Sequence, residues 1–173
     1  TGESDTDVAL RRELAERLLP SALVGADALA VHRLLRRLNA ARALAAEEAG
    51  DEAAVIPLTV ADLVDDPDTW QPTLEKGAEA PGRRGWNDRA LARVLTKAAR
   101  MWELARQRDT RPQERLWELW EACGVAEDWR SRAIQSDEAS AWFDDQLDAV
   151  VALLRVADVW EQRNPAGSAV QFA

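Results

Sequence analysis

Residues 112–134 read PQERLWELWEACGVAEDWRSRAI, and their pattern decides the fold class. The apolar side chains of the first half recur at the spacing of one helical stripe, at Leu116, Trp117, Leu119, Trp120 and Cys123. Gly124 is predicted to end this helix, because glycine readily adopts the left-handed backbone of a helix C-terminus. A short second helix is predicted over 126–134. This stretch therefore indicates a helical protein with tryptophans on its helices.

The start of the first of these helices carries its own signals. Pro112 suits the first helical turn, where its missing amide hydrogen costs nothing. Thr110 and Gln113 stand three residues apart on either side of it, which predicts a capping box.

Towards the N-terminus, helical patterns alternate with turn residues. A long helix is predicted from an Asn87 cap to about residue 108. Before it, residues 75–87 read EKGAEAPGRRGWN and are predicted to be a loop, because they hold three glycines and a proline. A short helix begins at a capping box formed by Thr59 and Asp62.

The two ends of the chain are helical as well. A first helix is predicted from Asp5 or Asp7 to just before Pro20, and a second from an Asp27 cap to about residue 48, where Gly50 ends it. The last long helix is predicted over 137–163. Its inward side chains are expected to be Phe143, Leu147, Val150, Val151, Leu154 and Ala157.

The predicted fold class is all-α, an irregular bundle of about six to seven helices with a loop-rich break near residues 75–87. At 173 residues the chain fits one helical subdomain, 1–173, with 1–74 and 88–173 as candidate subregions. Ala, Leu, Glu and Arg dominate the composition, and these residues favour helices.

Composition also limits location and partners. A single cysteine, Cys123, excludes an internal disulfide and fits the reducing cytoplasm. No apolar run approaches the roughly 18 residues of a membrane span, and TGESDTD is no export signal. We therefore expect a soluble cytoplasmic protein with no membrane contact. The missing initiating Met suggests either processing of the N-terminus or a piece excised from a larger protein.

The residues of the common catalytic motifs are absent or misplaced. A phosphate-binding loop needs glycines followed by lysine, but Lys76 precedes Gly77. A restriction-type nuclease needs an acid, a spacer and a lysine after Pro67-Asp68, but Glu75 adjoins Lys76. One cysteine and one histidine, His32, cannot make a zinc site alone. We therefore expect no catalytic residue, no metal site and no cofactor in this chain.

Tryptophan is unusually frequent, with eight residues in a chain that has no tyrosine. Five lie in the last third, namely Trp117, Trp120, Trp129, Trp142 and Trp160. One interpretation is that they hold the C-terminal helices together, since each buried indole removes about 150–250 Å² from water. The other is an exposed aromatic surface for a partner protein or for unstacked bases.

Basic residues concentrate in one place although the net charge of −9 argues against a dedicated nucleic-acid binder. Arg83 and Arg84 lie in the predicted loop. They are followed by a basic ridge at helical spacing, which consists of Arg89, Arg93, Lys97 and Arg100. These six residues are the candidate DNA contacts. The alternative is a solvated helix face.

Three segments carry a resemblance to a known family: 18–38 (LLPSALVGADALAVHRLLRRL), 114–133 (ERLWELWEACGVAEDWRSRA) and 146–172 (QLDAVVALLRVADVWEQRNPAGSAVQF). They resemble actinobacterial UvrD/Rep-type ATP-dependent DNA helicases, with the AdnA and AdnB subunits of the dual-motor helicase–nuclease as the closest members. The motif residues are Leu116, Trp117, Leu119, Trp120, Gly124, Trp129 and Arg130, then Leu147, Asp148, Ala149, Val150, Ala152 and Leu153.

The resemblance implies the accessory 2B-type subdomain, a helical insertion in the second motor domain of a DNA repair and recombination helicase. ATP and Mg²⁺ are then bound by the parent protein, outside this segment. The implied partners are the remaining motor domains, DNA reached through the parent helicase, and a second helicase–nuclease subunit. The implied role is to modulate unwinding without performing chemistry.

Two other functions are left open by the residues themselves. The first is a stand-alone helical module that binds protein through its tryptophan surface. The second is an enzyme with a site made of carboxylates alone. Asp144, Asp145 and Asp148 could place carboxylates on one helix face, but no partner acid or ligand is implied, so we expect a solvated face there.

Overall fold

The computed structural model describes residues 5–50, 56–107, 110–135 and 139–172, with the backbone alone for residues 5–7, 83 and 84. Within these ranges every regular element is a helix, which confirms the all-α prediction. A 3-10 turn, Pro67–Thr69, separates the third and fourth of them. The described α-helices are α1 Asp5–Leu18, α2 Ala28–Ala49, α3 Val60–Asp65, α4 Gln71–Ala78, α5 Arg83–Arg106, α6 Pro112–Cys123, α7 Ala126–Ala133, α8 Ser140–Arg163 and α9 Ala169–Phe172.

The chain forms two compact units, 1–99 and 100–173, and the boundary between them falls inside α5. The sequence-based subregions, 1–74 and 88–173, put their boundary earlier. Seven of the described helices correspond to predicted ones, and α4 and α9 are additional. The predicted start of α8, near residue 137, lies outside the described residues.

The first unit is held together by side chains that join distant segments. Helix α1 packs on α3, and Arg11 Nη1 lies 3.1 Å from Asp65 Oδ2 between them. The amide of Asn39 on α2 bonds both backbone groups of Leu58: its Oδ1 accepts from the nitrogen at 2.7 Å, and its Nδ2 donates to the oxygen at 3.1 Å. These contacts fix the segment that leads into α3 against α2.

Helix α2 confirms both of its predicted ends. Asp27 caps it, its side chain accepting a hydrogen bond from the Leu29 amide at 3.0 Å. Gly50 ends it in the left-handed conformation, with φ +66°. The four apolar residues that face the core are Val31, Leu34, Leu35 and Leu38. The capping box of Thr59 and Asp62 at α3 also forms.

The loop predicted over 75–87 is shorter than expected. Helix α4 continues to Ala78 and α5 already starts at Arg83, so Asn87 lies inside α5 and does not cap it. Two of the three glycines lie in helices, at positions where a neighbouring group comes too close for a side chain. A Cβ on Gly77 would lie 1.8 Å from Asp88 Oδ2, and a Cβ on Gly85 would lie 2.1 Å from the Ala80 carbonyl oxygen.

The second unit is built around α6. Helices α7, α8 and α9 each pack on it, and α7 also packs on α8. Gly124 ends α6 with φ +62°, as predicted, and so lets the chain turn directly into α7. Cys123, in the last turn, is buried, and its thiol donates to the Trp120 carbonyl.

The capping box predicted at Thr110 and Gln113 is wrong. The cap position of α6 is Arg111, and its side chain makes no cap hydrogen bond. The Gln113 amide instead donates to Glu161 Oε1 of α8 at 2.6 Å. The Thr110 hydroxyl accepts from the buried guanidinium of Arg115. The Glu161 carboxylate of α8 therefore accepts the Gln113 amide, a role that the local pattern predicted for the Thr110 side chain.

Candidate tryptophan cluster and basic ridge

Aromatic side chains of three helices meet in the second unit. Trp129 of α7 is buried, and its ring lies edge-on to Trp120 of α6 at 5.7 Å and to Trp142 of α8 at 5.8 Å between centroids. Phe143 lies 4.9 Å from Trp142 at an interplanar angle of 88°. We call Trp120, Trp129, Trp142 and Phe143 the indole cluster. Edge-to-face pairs of this kind add to the burial energy of the rings.

The indole cluster also carries a positive charge on its edge. The guanidinium carbon of Arg132 lies 5.2 Å from the centroid of Phe143. The same guanidinium donates to Asp128 Oδ1 at 3.0 Å, one turn earlier in α7. Arg132 is thus held by an aromatic ring and a carboxylate together.

Some of these tryptophans are enclosed between helices, as the structural interpretation expects, and others are exposed, as the binding-surface interpretation expects. Trp129 is buried, and Trp120 is half-buried. Trp117 and Trp142, in contrast, are 50% and 45% exposed. Trp160 is half-buried and lies 5.7 Å from Phe172 of α9. Rings of the last third therefore join helices, and two of them, Trp117 and Trp142, also present aromatic surface to solvent.

The remaining tryptophans lie in the N-terminal part of the chain or in α5. Trp70 is buried and donates from Nε1 to the Leu63 carbonyl at 2.8 Å, which satisfies its one polar group. Trp102 is buried as well. Trp86 is 64% exposed and lines a groove of the first unit with Asp27, Arg33 and Leu91. The sequence contained no signal for this groove, because its walls come from α2 and α5.

The candidate DNA contacts have unequal surroundings. Arg93 is exposed on α5, and Lys97 is half-buried. Arg89 is exposed but donates to the Ala78 carbonyl at the end of α4, so part of its hydrogen-bonding capacity is used inside the first unit. The side chains of Arg83 and Arg84 lie outside the described residues. Arg100, in the second unit, lies 2.8 Å from Glu103.

Two adjacent acidic residues of the first unit have structural partners, and the three carboxylates named above on α8 are exposed. Asp65 pairs with Arg11, and Asp66 accepts from the amide of Asp68 in the 3-10 turn. Asp144, Asp145 and Asp148 are exposed on α8. In the part of the chain that the structure describes, no group of three His, Cys, Asp or Glu side chains is arranged to hold a metal ion.

His32, the one histidine, is exposed on α2. Glu75 and Lys76, which lack the spacer residue of a nuclease motif, are exposed in the second half of α4. A search of the described helices for a bilayer-spanning segment finds none with the necessary length and apolar character.

Comparison with protein-family models, with curated proteins and with solved structures yields no match for this chain.

Proposed function

We propose that this chain is the accessory 2B-type helical subdomain of a UvrD/Rep-family DNA helicase, similar to AdnA and AdnB, and that it modulates unwinding without catalysis. One observation carries the proposal. The residues that resemble the family, from Leu116 to Leu153, fall on α6, α7 and α8, and these three helices pack on one another. The motif residues of the two C-terminal segments therefore belong to one packed unit, whereas segment 18–38 lies in the first unit.

The indole cluster explains why such a motif has a structural role. Trp129 is central to it, since its ring contacts Trp120 and Trp142 from the two neighbouring helices. Burial of an indole contributes several kcal/mol, about 25 cal/mol for each Å² of apolar area removed from water. A unit held in this way can move as one body against a motor, which is what an accessory subdomain requires.

In this proposal the chemistry belongs to the parent protein. The parent motor binds ATP and Mg²⁺ in the cytoplasm, and this subdomain contacts the remaining motor domains, a second helicase–nuclease subunit and duplex DNA. The duplex contact is assigned to Arg93 and Lys97, with Arg83, Arg84, Arg89 and Arg100 as the other candidates. Of these, Arg93 has the side chain best placed for a phosphate, because it is exposed and its helix also carries Lys97 one turn away.

ATP hydrolysis by the purified chain tests the central claim. The chain is incubated with ATP, Mg²⁺ and duplex DNA, and phosphate release is compared with a buffer blank and with an intact UvrD-type helicase. We expect release at the level of the blank. Hydrolysis that persists through purification and tracks the protein peak would contradict the proposal.

The reading frame on either side of the chain provides a second test. The proposal expects helicase motifs on both sides, including a glycine-rich phosphate loop followed by lysine. A gene that starts and stops close to residues 1 and 173 would instead favour a stand-alone module.

The stand-alone module is the second candidate, and the exposure of Trp117 and Trp142 favours it. Tryptophans are frequent among the residues that dominate the binding energy of protein interfaces. In that function the surface around Trp117 would bind another protein directly. Substituting Trp117 by alanine would then weaken partner binding while leaving the helical content unchanged.

A further inference from the structure

Helix α8 packs on α6 and α7 along one side and exposes apolar side chains along another. Val156 and Val159 are 57% and 44% exposed, and Ala149 and Ala152 are exposed too. Leu153, beside them, is also exposed. A contiguous apolar strip on the surface of a helix is typical of a protein–protein contact.

Opposite charges stand at the two ends of this strip. Asp145 lies four residues before Ala149, Arg163 lies four residues after Val159, and both are exposed. The six positions follow one another at intervals of four, three, four, three and four residues, the spacing of a coiled-coil seam. We call them the α8 seam: Asp145, Ala149, Ala152, Val156, Val159 and Arg163.

The α8 seam is symmetric about residue 154. Its members form three pairs equidistant from that position, namely Asp145 with Arg163, Ala149 with Val159, and Ala152 with Val156. Each pair is complementary, since a small side chain matches a larger one or a negative charge matches a positive one. When two identical antiparallel helices meet about a two-fold axis, the residues equidistant from the axis lie opposite each other.

We propose that the α8 seam is a self-association surface, on which a second copy of this chain pairs its own α8 in antiparallel orientation. In that dimer Asp145 of each copy faces Arg163 of the other. Between these ends, alanines lie opposite valines, so the two helices approach closely without voids. This surface lies outside the indole cluster and the basic ridge, and the proposal does not depend on the function proposed above.

If the two helices were parallel, the two Asp145 side chains would face each other, and so would the two Arg163 side chains. The repulsion at both ends therefore favours the antiparallel arrangement. Asp145 near the start of α8 and Arg163 at its end also interact favourably with the dipole of their own helix. A test therefore has to separate this effect from ion pairing between the two copies. The seam covers 19 residues, and its two ends lie roughly 27 Å apart at about 1.5 Å of rise per residue.

The expected dimer is weak and depends on concentration. A single pair of helices buries less than the standard interface of about 1,600 Å². Arg155, which is exposed beside the seam close to the two-fold axis, approaches its own copy and weakens the pair further. Association in the micromolar range or weaker is therefore the expectation.

Sedimentation equilibrium of the intact chain over a series of concentrations tests the proposal. The mass should rise from 19.2 kDa for one chain towards twice that value. Asp145→Arg places arginine opposite Arg163 at both ends of the dimer, and Arg163→Asp places two carboxylates there. Each single variant should raise the dissociation constant about ten-fold or more, since two exposed ion pairs change sign. The double variant should restore association.

Matched controls change the net charge equally, away from the α8 seam. Asp144→Arg is exposed on α8 but lies off the seam, and Arg36→Asp is exposed on α2. Both should dimerise like the unmodified chain. Val156→Glu, at the apolar centre, should abolish association. Circular dichroism of every variant excludes misfolding, because all of these side chains are exposed.

Three results would overturn the proposal. The unmodified chain could remain at the mass of one copy at all concentrations. The single charge reversals could associate as well as the controls do. The double variant could fail to recover, which would show that the charges act through their own helix and not across a dimer.

Discussion

The ring of Trp129 on α7 meets the ring of Trp142 on α8 edge-on, with centroids 5.8 Å apart and planes inclined by 67°. Trp129 is buried, whereas Trp142 is 45% exposed, so one ring is enclosed and the other covers it. The contact between α7 and α8 depends on this enclosure, because α7 has only this one buried side chain among the residues described for it.

Trp129→Ala should therefore destabilise the second unit strongly. Truncation of a buried tryptophan costs about 3–5 kcal/mol, since the lost transfer energy is joined by the cost of a cavity. Chemical denaturation followed by circular dichroism measures the change. Trp117→Ala is the control, because that ring is 50% exposed and should cost much less. Equal losses for the two variants would show that the indole cluster does not hold the helices.

Gly77→Ala should destabilise the first unit, because the new Cβ would lie 1.8 Å from Asp88 Oδ2. Asp88 is buried and pairs with Arg37, so its carboxylate cannot move away freely. Overpacking of this kind costs about 1–3 kcal/mol. The same substitution should cost clearly less in an Asp88→Ala background, as measured in a double-mutant cycle of denaturation. An undiminished cost would mean that a contact other than Asp88 requires the glycine, because helix propensity by itself favours alanine at this position.

Glu161→Ala should remove the cap of α6, since Glu161 Oε1 accepts the hydrogen bond of the Gln113 amide. Loss of a side-chain cap costs about 0.5–2 kcal/mol. Gln113→Ala is the matched control. If the cap came from a local capping box, the Gln113 side chain would be required and its loss would be the costly one. Thermal unfolding of the two variants distinguishes the tertiary cap from the local one.

Arg93→Glu should weaken binding of duplex DNA and reduce its dependence on salt, if the ridge on α5 contacts phosphates. Loss of one phosphate contact is expected to lower the slope of log K against log salt by about one. Fluorescence anisotropy with a labelled duplex measures both quantities. Arg42→Glu on α2 is exposed and changes the charge equally, so it should have the smaller effect. Identical behaviour of the two variants would mean that only net charge matters.

The sequence predicted those elements whose signals are local. The ends of α2 at Asp27 and Gly50, the capping box at Thr59 and the stop at Gly124 all lie within a turn of the backbone groups that they satisfy. Such signals can be recognised from neighbouring residues in the sequence, because the interacting groups are close in the chain. The all-α class follows from the same regularity, since the apolar stripes have helical spacing.

The sequence could not predict interactions between residues far apart in the chain. Glycines at 77 and 85 are typical of a loop, but they lie in helices, where Asp88 and the Ala80 carbonyl occupy the space that a side chain would need. Val151 was expected to point inward and is 45% exposed. Helical periodicity shows that a stripe is apolar, but not which of two apolar sides another helix covers.

The candidate sites likewise combine features that the sequence predicts with features that only the folded chain determines. Spacing alone placed Arg89 and Arg93 on one ridge, but only the folded chain directs Arg89 to the carbonyl at the end of α4. The symmetric order of the α8 seam can be recognised in the amino-acid sequence. Its exposure, however, depends on which side of α8 packs against α6 and α7. The amino-acid sequence by itself determined the helices and their local ends, because those depend on hydrogen bonds within a few residues. The tertiary structure decided which side chains are enclosed and which stay open to a partner, because burial depends on residues that are distant along the chain.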